Sequence, residues 1–422
     1  MIKRYIKHTW AMLRQQKLFG TLYIIGTAIP VALTMIVITF QNIRVGSIYP
    51  EEHREELWCS QLACTNTTMG PLSLSFAQKC FYPLKGAEAV TAMHVIKPVF
   101  VQLSDGKNMI SVNNLPTDPA FFRVFDFQFL EGKPFSDADF SSGRQCAVVA
   151  ASLARRLFGD RQAVGRTILL DYAEYTITGV VRDASSLTPL TYAQLYTPYT
   201  CLHEEINPTA TCGPYKVCIR AGKDKGPQLQ AEVEEYLRKY RLLAGDSLIH
   251  VEIPRQAWEY NQKSKFGFID DDTVQHAIRV FGGLILMFLL VPALNLSGMI
   301  SGQMEGRLPE MGIYKAFGAT RSRLLKQVLG ENLVLTLLGG LIGLLLSWGI
   351  LVLGRSWVFD FFSPGFYLGS DTDVLINADM LFSPWVFLFA LLVCIVLNVA
   401  SALIPALSLI HISEPTRHSL IS

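Results

Sequence analysis

Residues 310–332 read EMGIYKAFGATRSRLLKQVLGEN. This cationic, glycine-punctuated stretch lies between two of the most apolar runs in the chain, Ala277–Ile300 and Leu333–Gly354. Pro309 suits the first turn of a helix, and Glu310 complements its positive end. Ile313, Tyr314 and Phe317 make a small apolar face, and Gly318 stops the helix after barely two turns. Thr320 then stands where it can cap a second helix that carries Arg321, Arg323 and Lys326 into the next apolar run. The expected element is a short surface helix over 308–318, a glycine break and a long helix. So short a helix is marginal alone. It reads either as a segment docked in a groove of a cytoplasmic partner or as a basic interfacial loop that binds anionic lipid.

Two more apolar runs, Leu18–Phe40 and Pro384–Pro405, flank the rest of the chain. Each of the four is about 20 residues long or slightly more, enough to span a hydrocarbon core of about 30 Å. Charged residues make up 17% of the 422-residue chain, against about 25% in soluble domains. None of the runs holds Asp, Glu, Lys or His, and Arg279 sits at an edge. The reading is an α-helical membrane protein with four transmembrane helices, at 18–40, 277–300, 333–354 and 384–406. The first run exceeds the usual apolar length of a signal peptide and lacks an A-x-A site, so it is read as a retained span.

Basic residues near the spans set the orientation. The leader, residues 1–17, carries Lys3, Arg4, Lys7, Arg14 and Lys17, with Ile2, Ile6, Trp10 and Leu13 at helical spacing, and is expected to be a cytoplasmic amphipathic helix. The 301–332 loop carries Arg307, Lys315, Arg321, Arg323 and Lys326, so it too faces the cytoplasm. The 355–383 loop has Arg355 against Asp360, Asp371, Asp373 and Asp379, and with the 41–276 segment it faces outward.

Alternation in the 41–276 segment predicts a large extracytoplasmic α+β domain with a stalk. Val99–Leu103 and Met109–Val112, joined by a turn at Ser104–Lys107, form one hairpin, and Thr167–Val181 forms a second. Ala151–Gly159 is a short helix ended by glycine, and Pro227–Leu243 is a longer one with Leu229, Val233, Tyr236, Leu237 and Tyr240 along one side. The run Glu51–Glu56, EEHREE, is expected to be a solvated stalk just above the membrane. Cys59, Cys64, Cys80, Cys146, Cys201, Cys212 and Cys218 fall outside, where disulfides are permitted, and Cys394 lies in the fourth span. The spacings Cys59/Cys64 and Cys212/Cys218 invite local pairs, with connectivity left open.

Chemistry is sparse. The nearest approach to a phosphate loop, Gly159–Thr167, has one residue too many and arginine where lysine is needed. No H-E-x-x-H or G-x-S-x-G occurs, and no G-x-G-x-x-G opens a helix after a strand. No catalytic, cofactor or metal site is expected, and no nucleic-acid partner. The polar residues within spans, Asn295, Ser297 and Asn398, read as interhelical hydrogen-bonders. Gly339 and Gly343 offer a G-x-x-x-G face for packing within one subunit or between two.

Glu310, Gly312, Ile313, Lys315, Gly318, Ala319, Arg321, Gln327 and Glu331 together resemble the signature E-I-G-I-x-K-x-x-G-A-x-R-x-x-[IL]-x-x-Q-x-x-x-E of the MacB-like and FtsX-like ABC transporter permease family. Asn295–Gly298, NLSG, is similar to the end of the second span in Bacteroidetes-type members, and Asp118–Phe135 extends the likeness into the outer segment. Met311 and Pro309 depart from the usual pattern. The resemblance implies four spans, an outer domain between spans one and two, and a 308–318 helix that couples to a separate cytoplasmic ATPase. ATP would bind there, not on this chain. The coupling residues implied are Glu310, Gly312, Ile313, Tyr314, Lys315, Phe317, Gly318, Ala319 and Arg321. It further implies a second permease subunit, identical or not, a periplasmic adaptor as a further candidate partner, and a place in the bacterial inner membrane. The function implied is export or extraction of a peptide, lipoprotein or drug. The alternative is an FtsX-like regulator of cell-wall hydrolases. Leu407–Arg417 looks like translated sequencing adapter, so 407–422 is expected to be non-native.

Overall fold

The computed structural model describes residues 9–10, 13–15, 17–103, 109–159, 161–244, 248–261, 272, 274–288, 290, 313, 317, 320–354, 388–389, 391–393 and 395–396. They fall into two units, which are taken separately below. One contains 42–277, and the other contains 1–41 and 278–359.

The first unit is built on two sheets. Its strands are β1 (Leu57–Ser60), β2 (Ala63–Thr65), β3 (Met69–Gly70), β4 (Ala89–His94), β5 (Lys97–Leu103), β6 (Ile110–Thr117), β7 (Phe129–Gly132), β8 (Cys146–Ala150), β9 (Thr167–Leu170), β10 (Ala173–Val181), β11 (Leu195–Pro198), β12 (Tyr215–Arg220), β13 (Leu248–Val251) and β14 (Arg255–Gln256). A four-stranded sheet runs β14-β1-β12-β4, and a seven-stranded one runs β7-β10-β8-β11-β6-β5-β9. β2, β3 and β13 make a small third sheet. Because β9 also pairs with β10, six strands of the larger sheet close into a ring.

Side-chain alternation explains the layering. On β12, Tyr215, Val217 and Ile219 face one core with Trp58, Val90 and Ala92. There they meet the helices at Leu74–Cys80 and Gly226–Ala244 through Phe76, Ala77, Leu229, Val233 and Leu237. Cys218 points the other way, into a core with Cys59, Met93, Phe121, Phe125, Val148 and Tyr196. The ring has its own core of Val99, Val101, Ile110, Val112, Val149, Ile168 and Leu195, covered by Leu153 and Leu157 of the helix Ala151–Phe158. That helix ends at Gly159 with φ +66°, a left-handed turn that an L side chain resists.

Both predicted hairpins form. β5 pairs antiparallel with β6, and β9 with β10. The turn expected at Ser104–Lys107 lies outside the described residues. The predicted stalk does not form as expected, for Glu51 and Arg54 of EEHREE are fully buried.

α1 (Lys17–Val45), whose residues from Asn42 on belong to the first unit, packs through its earlier part against α2 (Arg321–Leu353) in the second. Both hold stretches long and apolar enough to cross a membrane, Gly20–Val45 and Leu329–Leu353. Their outer stripes are apolar, with Leu22, Ile25, Ile29 and Leu33 on α1 and Leu337, Leu341, Leu345, Trp348 and Val352 on α2. The buried residues between them mix small and polar side chains, among them Tyr23, Thr27, Ala28 and Thr336, with the apolar cluster of Val31, Met35 and the half-buried Leu344. Apolar outer stripes with polar groups kept to the buried side suit helices whose surroundings are lipid. Residues 274–288 form a shorter apolar helix. The spans expected at 277–300 and 384–406 are described only in part, and the count of four is not established by the described residues.

Candidate functional site

The residue types that matter converge at the end of α1. A helix leaves its last carbonyls without intrahelical donors, and a cation there also meets the negative end of the helix dipole. Arg54, in the 3₁₀ turn Arg54–Glu56, supplies both. Its Nη1 donates to the carbonyls of Ile43 at 2.6 Å and Gly46 at 2.8 Å. Its Nε donates to Glu51 Oε2 at 3.0 Å. Arg54 is 1% exposed and Glu51 0%, so the pair is desolvated and each charge depends on the other.

Glu51 carries the connection onward. Its Oε1 accepts from the Leu190 backbone N–H at 3.2 Å and the Thr191 hydroxyl at 3.0 Å. Thr191 lies in the buried link between β10 and β11, and its carbonyl accepts from the Tyr196 hydroxyl on β11. Tyr49 makes a parallel tie, donating to the Arg182 carbonyl and accepting from the Gln128 N–H, both at 3.1 Å. Burial pushes the Tyr49 phenol up to about 12, so it stays protonated and can donate. The last turn of α1 is thus tied by side chains to the link that feeds the ring.

A third anchor lies beside it. Arg220 Nη1 donates to Asp126 Oδ1 at 2.9 Å, and His53 Nδ1 sits 3.1 Å from Asp126 Oδ2. Partial burial raises the Asp126 carboxyl, but its hydrogen bonds from Arg220 and His53 outweigh that and hold it below the usual carboxylate range. A depressed carboxylate gives stability that is present above the unfolded pKa and lost as pH falls through the folded one. Stability of the α+β unit, followed by denaturant midpoint, is expected to drop below about pH 4, and Asp126→Asn to shrink that drop.

Of the sequence-predicted coupling residues, Ile313 and Phe317 are described, with the backbone of Arg321. The Phe317 N–H donates to the Ile313 carbonyl at 3.1 Å, one helical turn. Their side chains are 58% and 87% exposed. Thr320 takes an extended backbone at the N-cap of α2 but makes no side-chain cap bond, and Arg321 begins the helix. Glu310, Gly312, Tyr314, Lys315, Gly318 and Ala319 lie outside the described residues, as do Asn295 and Ser297. Gly339 and Gly343 face α1. A Cβ on Gly339 would sit 2.8 Å from Thr27 Cβ, and one on Gly343 would sit 2.6 Å from the Ala28 carbonyl oxygen. The pair that sequence alone left open between one subunit and two is used within the chain.

Sequence reasoning missed Glu51 and Arg54, because a run of charges reads as solvated. Their i,i+3 spacing just past an apolar helix was the available signal.

The MacB-like periplasmic core domain matches residues 22–236, about half the chain, and the FtsX-like permease C-terminal domain matches residues 282–413. The chain belongs to the MacB/FtsX-like permease family. Among relatives, the macrolide export ATP-binding/permease protein MacB of Agrobacterium fabrum is 26% identical over 68% of this chain and 40% of its own length. The ABC transporter permease YknZ of Bacillus subtilis is 20% identical over 65% of this chain and 66% of its own. The match therefore spans less than two thirds of each relative. The solved periplasmic region of MacB from Actinobacillus actinomycetemcomitans is 14% identical, covering 50% of this chain and 94% of that one, with a TM-score of 0.38. A permease domain from Porphyromonas gingivalis is 17% identical, covering 52% and 94%, with a TM-score of 0.36. This MacB/FtsX-like chain is thus an ABC transporter permease component and a membrane protein, with a periplasmic-type domain between its N-terminal helix and its later helices. Permeases of this type work with cytoplasmic ATPases.

Proposed function

We propose that the chain passes ATP-driven motion from a separate cytoplasmic ATPase to its α+β domain. It does so as one subunit of a permease dimer that crosses the bacterial inner membrane four times in each copy. The observation that carries this reading is the pair Ile313 and Phe317, exposed and joined by a backbone hydrogen bond, which closely precedes the 33-residue helix α2 in sequence. Two large apolar side chains on one exposed turn need a groove to enter. A shift of that turn moves α2, and the α2–α1 seam hands it to α1. The Arg54–Glu51 joint ties the last turn of α1 to the ring. The cargo is an extracytoplasmic peptide, lipoprotein or drug, exported or extracted from outside the inner membrane, with a periplasmic adaptor as a further partner.

The test is the double variant Glu310→Lys, Gly312→Leu, co-expressed with its ATPase. Co-purification and permease-stimulated hydrolysis are each expected to fall at least about fivefold, the size of a coupling loss near 1 kcal/mol. Intact stimulation would remove the coupling role. Ile313→Asp with Phe317→Asp is expected to act in the same direction without loss of yield, since both side chains are exposed.

A further inference from the structure

Cys59 and Cys218 are 159 residues apart in sequence and meet in the middle of the four-stranded sheet. They are direct partners in the antiparallel β1–β12 register. Both side chains point into the same core, and both residues are 0% exposed. Their sulfurs lie 2.9 Å apart as thiols. Residues directly opposed on antiparallel strands have Cα atoms about 4.5–5.5 Å apart, within the window of about 4.4–6.8 Å that a disulfide needs. The local pairs suggested by spacing are not what the sheet brings together: Cys59 faces Cys218 rather than Cys64, and Cys218 faces Cys59 rather than Cys212.

We propose that Cys59 and Cys218 are joined by a disulfide in the mature protein. The inference rests on the outward placement of the α+β domain, where thiol oxidants act. The oxidant is a disulfide donor, either a dithiol–disulfide oxidase or a small-molecule disulfide. One cysteine thiolate attacks a donor sulfur and releases the first donor thiolate, forming a mixed disulfide. The second cysteine thiolate then displaces the remaining donor sulfur. The donor S–S bond breaks and the Cys59–Cys218 bond forms. The donor gains two electrons, and the two cysteine protons end on its thiols. Burial pushes the Cys59 thiol up, and neither residue is exposed once the strands have paired, so the exchange belongs to folding, before the core closes.

The consequence concerns the joint. β1 begins directly after the Arg54–Glu56 turn, so the bond staples the strand leaving the joint to β12, the strand between β1 and β4.

The test uses the full chain purified from membranes without reductant. It is denatured in a thiol-blocking maleimide, digested, and read by mass spectrometry without reduction. The expected result is a peptide pair containing Cys59 and Cys218, two hydrogens lighter than the two thiol peptides and separated by reductant. Maleimide on both residues in the protein as isolated would overturn the proposal. Refolding a second, unblocked portion of that preparation with oxidised glutathione then locates the fault. If the pair closes, the outward placement is wrong. If the thiols stay open, the pairing is wrong.

Discussion

Arg54→Met is expected to lower the unfolding free energy of the α+β unit by about 3–5 kcal/mol, the range for removing one partner from a buried ion pair. The substitution leaves the Glu51 carboxylate in a dry site with, among the described residues, the Leu190 N–H and the Thr191 hydroxyl as its remaining donors. It also strips the Ile43 and Gly46 carbonyls of their side-chain donor. Denaturant unfolding of the full chain in detergent reads the loss as a shift in midpoint at unchanged slope. Combining Glu51→Leu with Arg54→Met is expected to recover most of it, because two well-packed apolar side chains carry no stranded charge. ATPase stimulation is the second readout. The recovered double variant is expected to stay stable yet stimulate poorly, since of the two ties at the end of α1 only Tyr49 remains. A single variant within about 1 kcal/mol of the parent would show that the pair is not desolvated as described.

The second large effect is expected at the α1–α2 seam. Gly343→Leu places its first carbon against the Ala28 carbonyl oxygen and the Val31 side chain, where backbone, not a flexible side-chain tip, must give way. The expected cost is about 3 kcal/mol, the upper end for overpacking. Tyr23 and Thr336 report it directly, because their hydroxyls lie 3.4 Å apart across the seam. In membranes, bridging of Tyr23→Cys and Thr336→Cys by a short bis-thiol-reactive linker, which replaces the reach of the lost ring, is expected to be efficient with glycine at 343 and at least tenfold slower with Gly343→Leu. Gly349→Ala is the control, since a Cβ there meets nothing within 4 Å. Equal rates in all three would remove the seam as a packed contact.

What sequence made legible was local. The apolar runs at 18–40 and 333–354 announce α1 and α2, and alternation announces the β5–β6 and β9–β10 hairpins, since each signal lies within one short continuous stretch of chain. The closure of the ring was not legible. It depends on β9 meeting β5 across more than sixty residues and on β8 running parallel to β10, and no periodicity encodes either. The joint was hidden for a different reason. Charge is ordinarily a marker of solvent, and only the surroundings of Glu51 and Arg54 reverse that. The cysteine partners were hidden because strand register, not spacing, brings Cys59 opposite Cys218. The 308–318 segment stood between these cases. Its apolar pair was readable, but the exposure of Ile313 and Phe317 needed coordinates.

The six-stranded ring described above has a mechanical consequence. A load applied to an open sheet can peel it from a border strand, breaking one rung at a time. A closed ring has no such starting point, so a tug at any strand is shared by the rungs on both sides and meets them in shear. Such a body yields little under strain. Under the proposed coupling, it would pass displacement on instead of absorbing it as local unravelling.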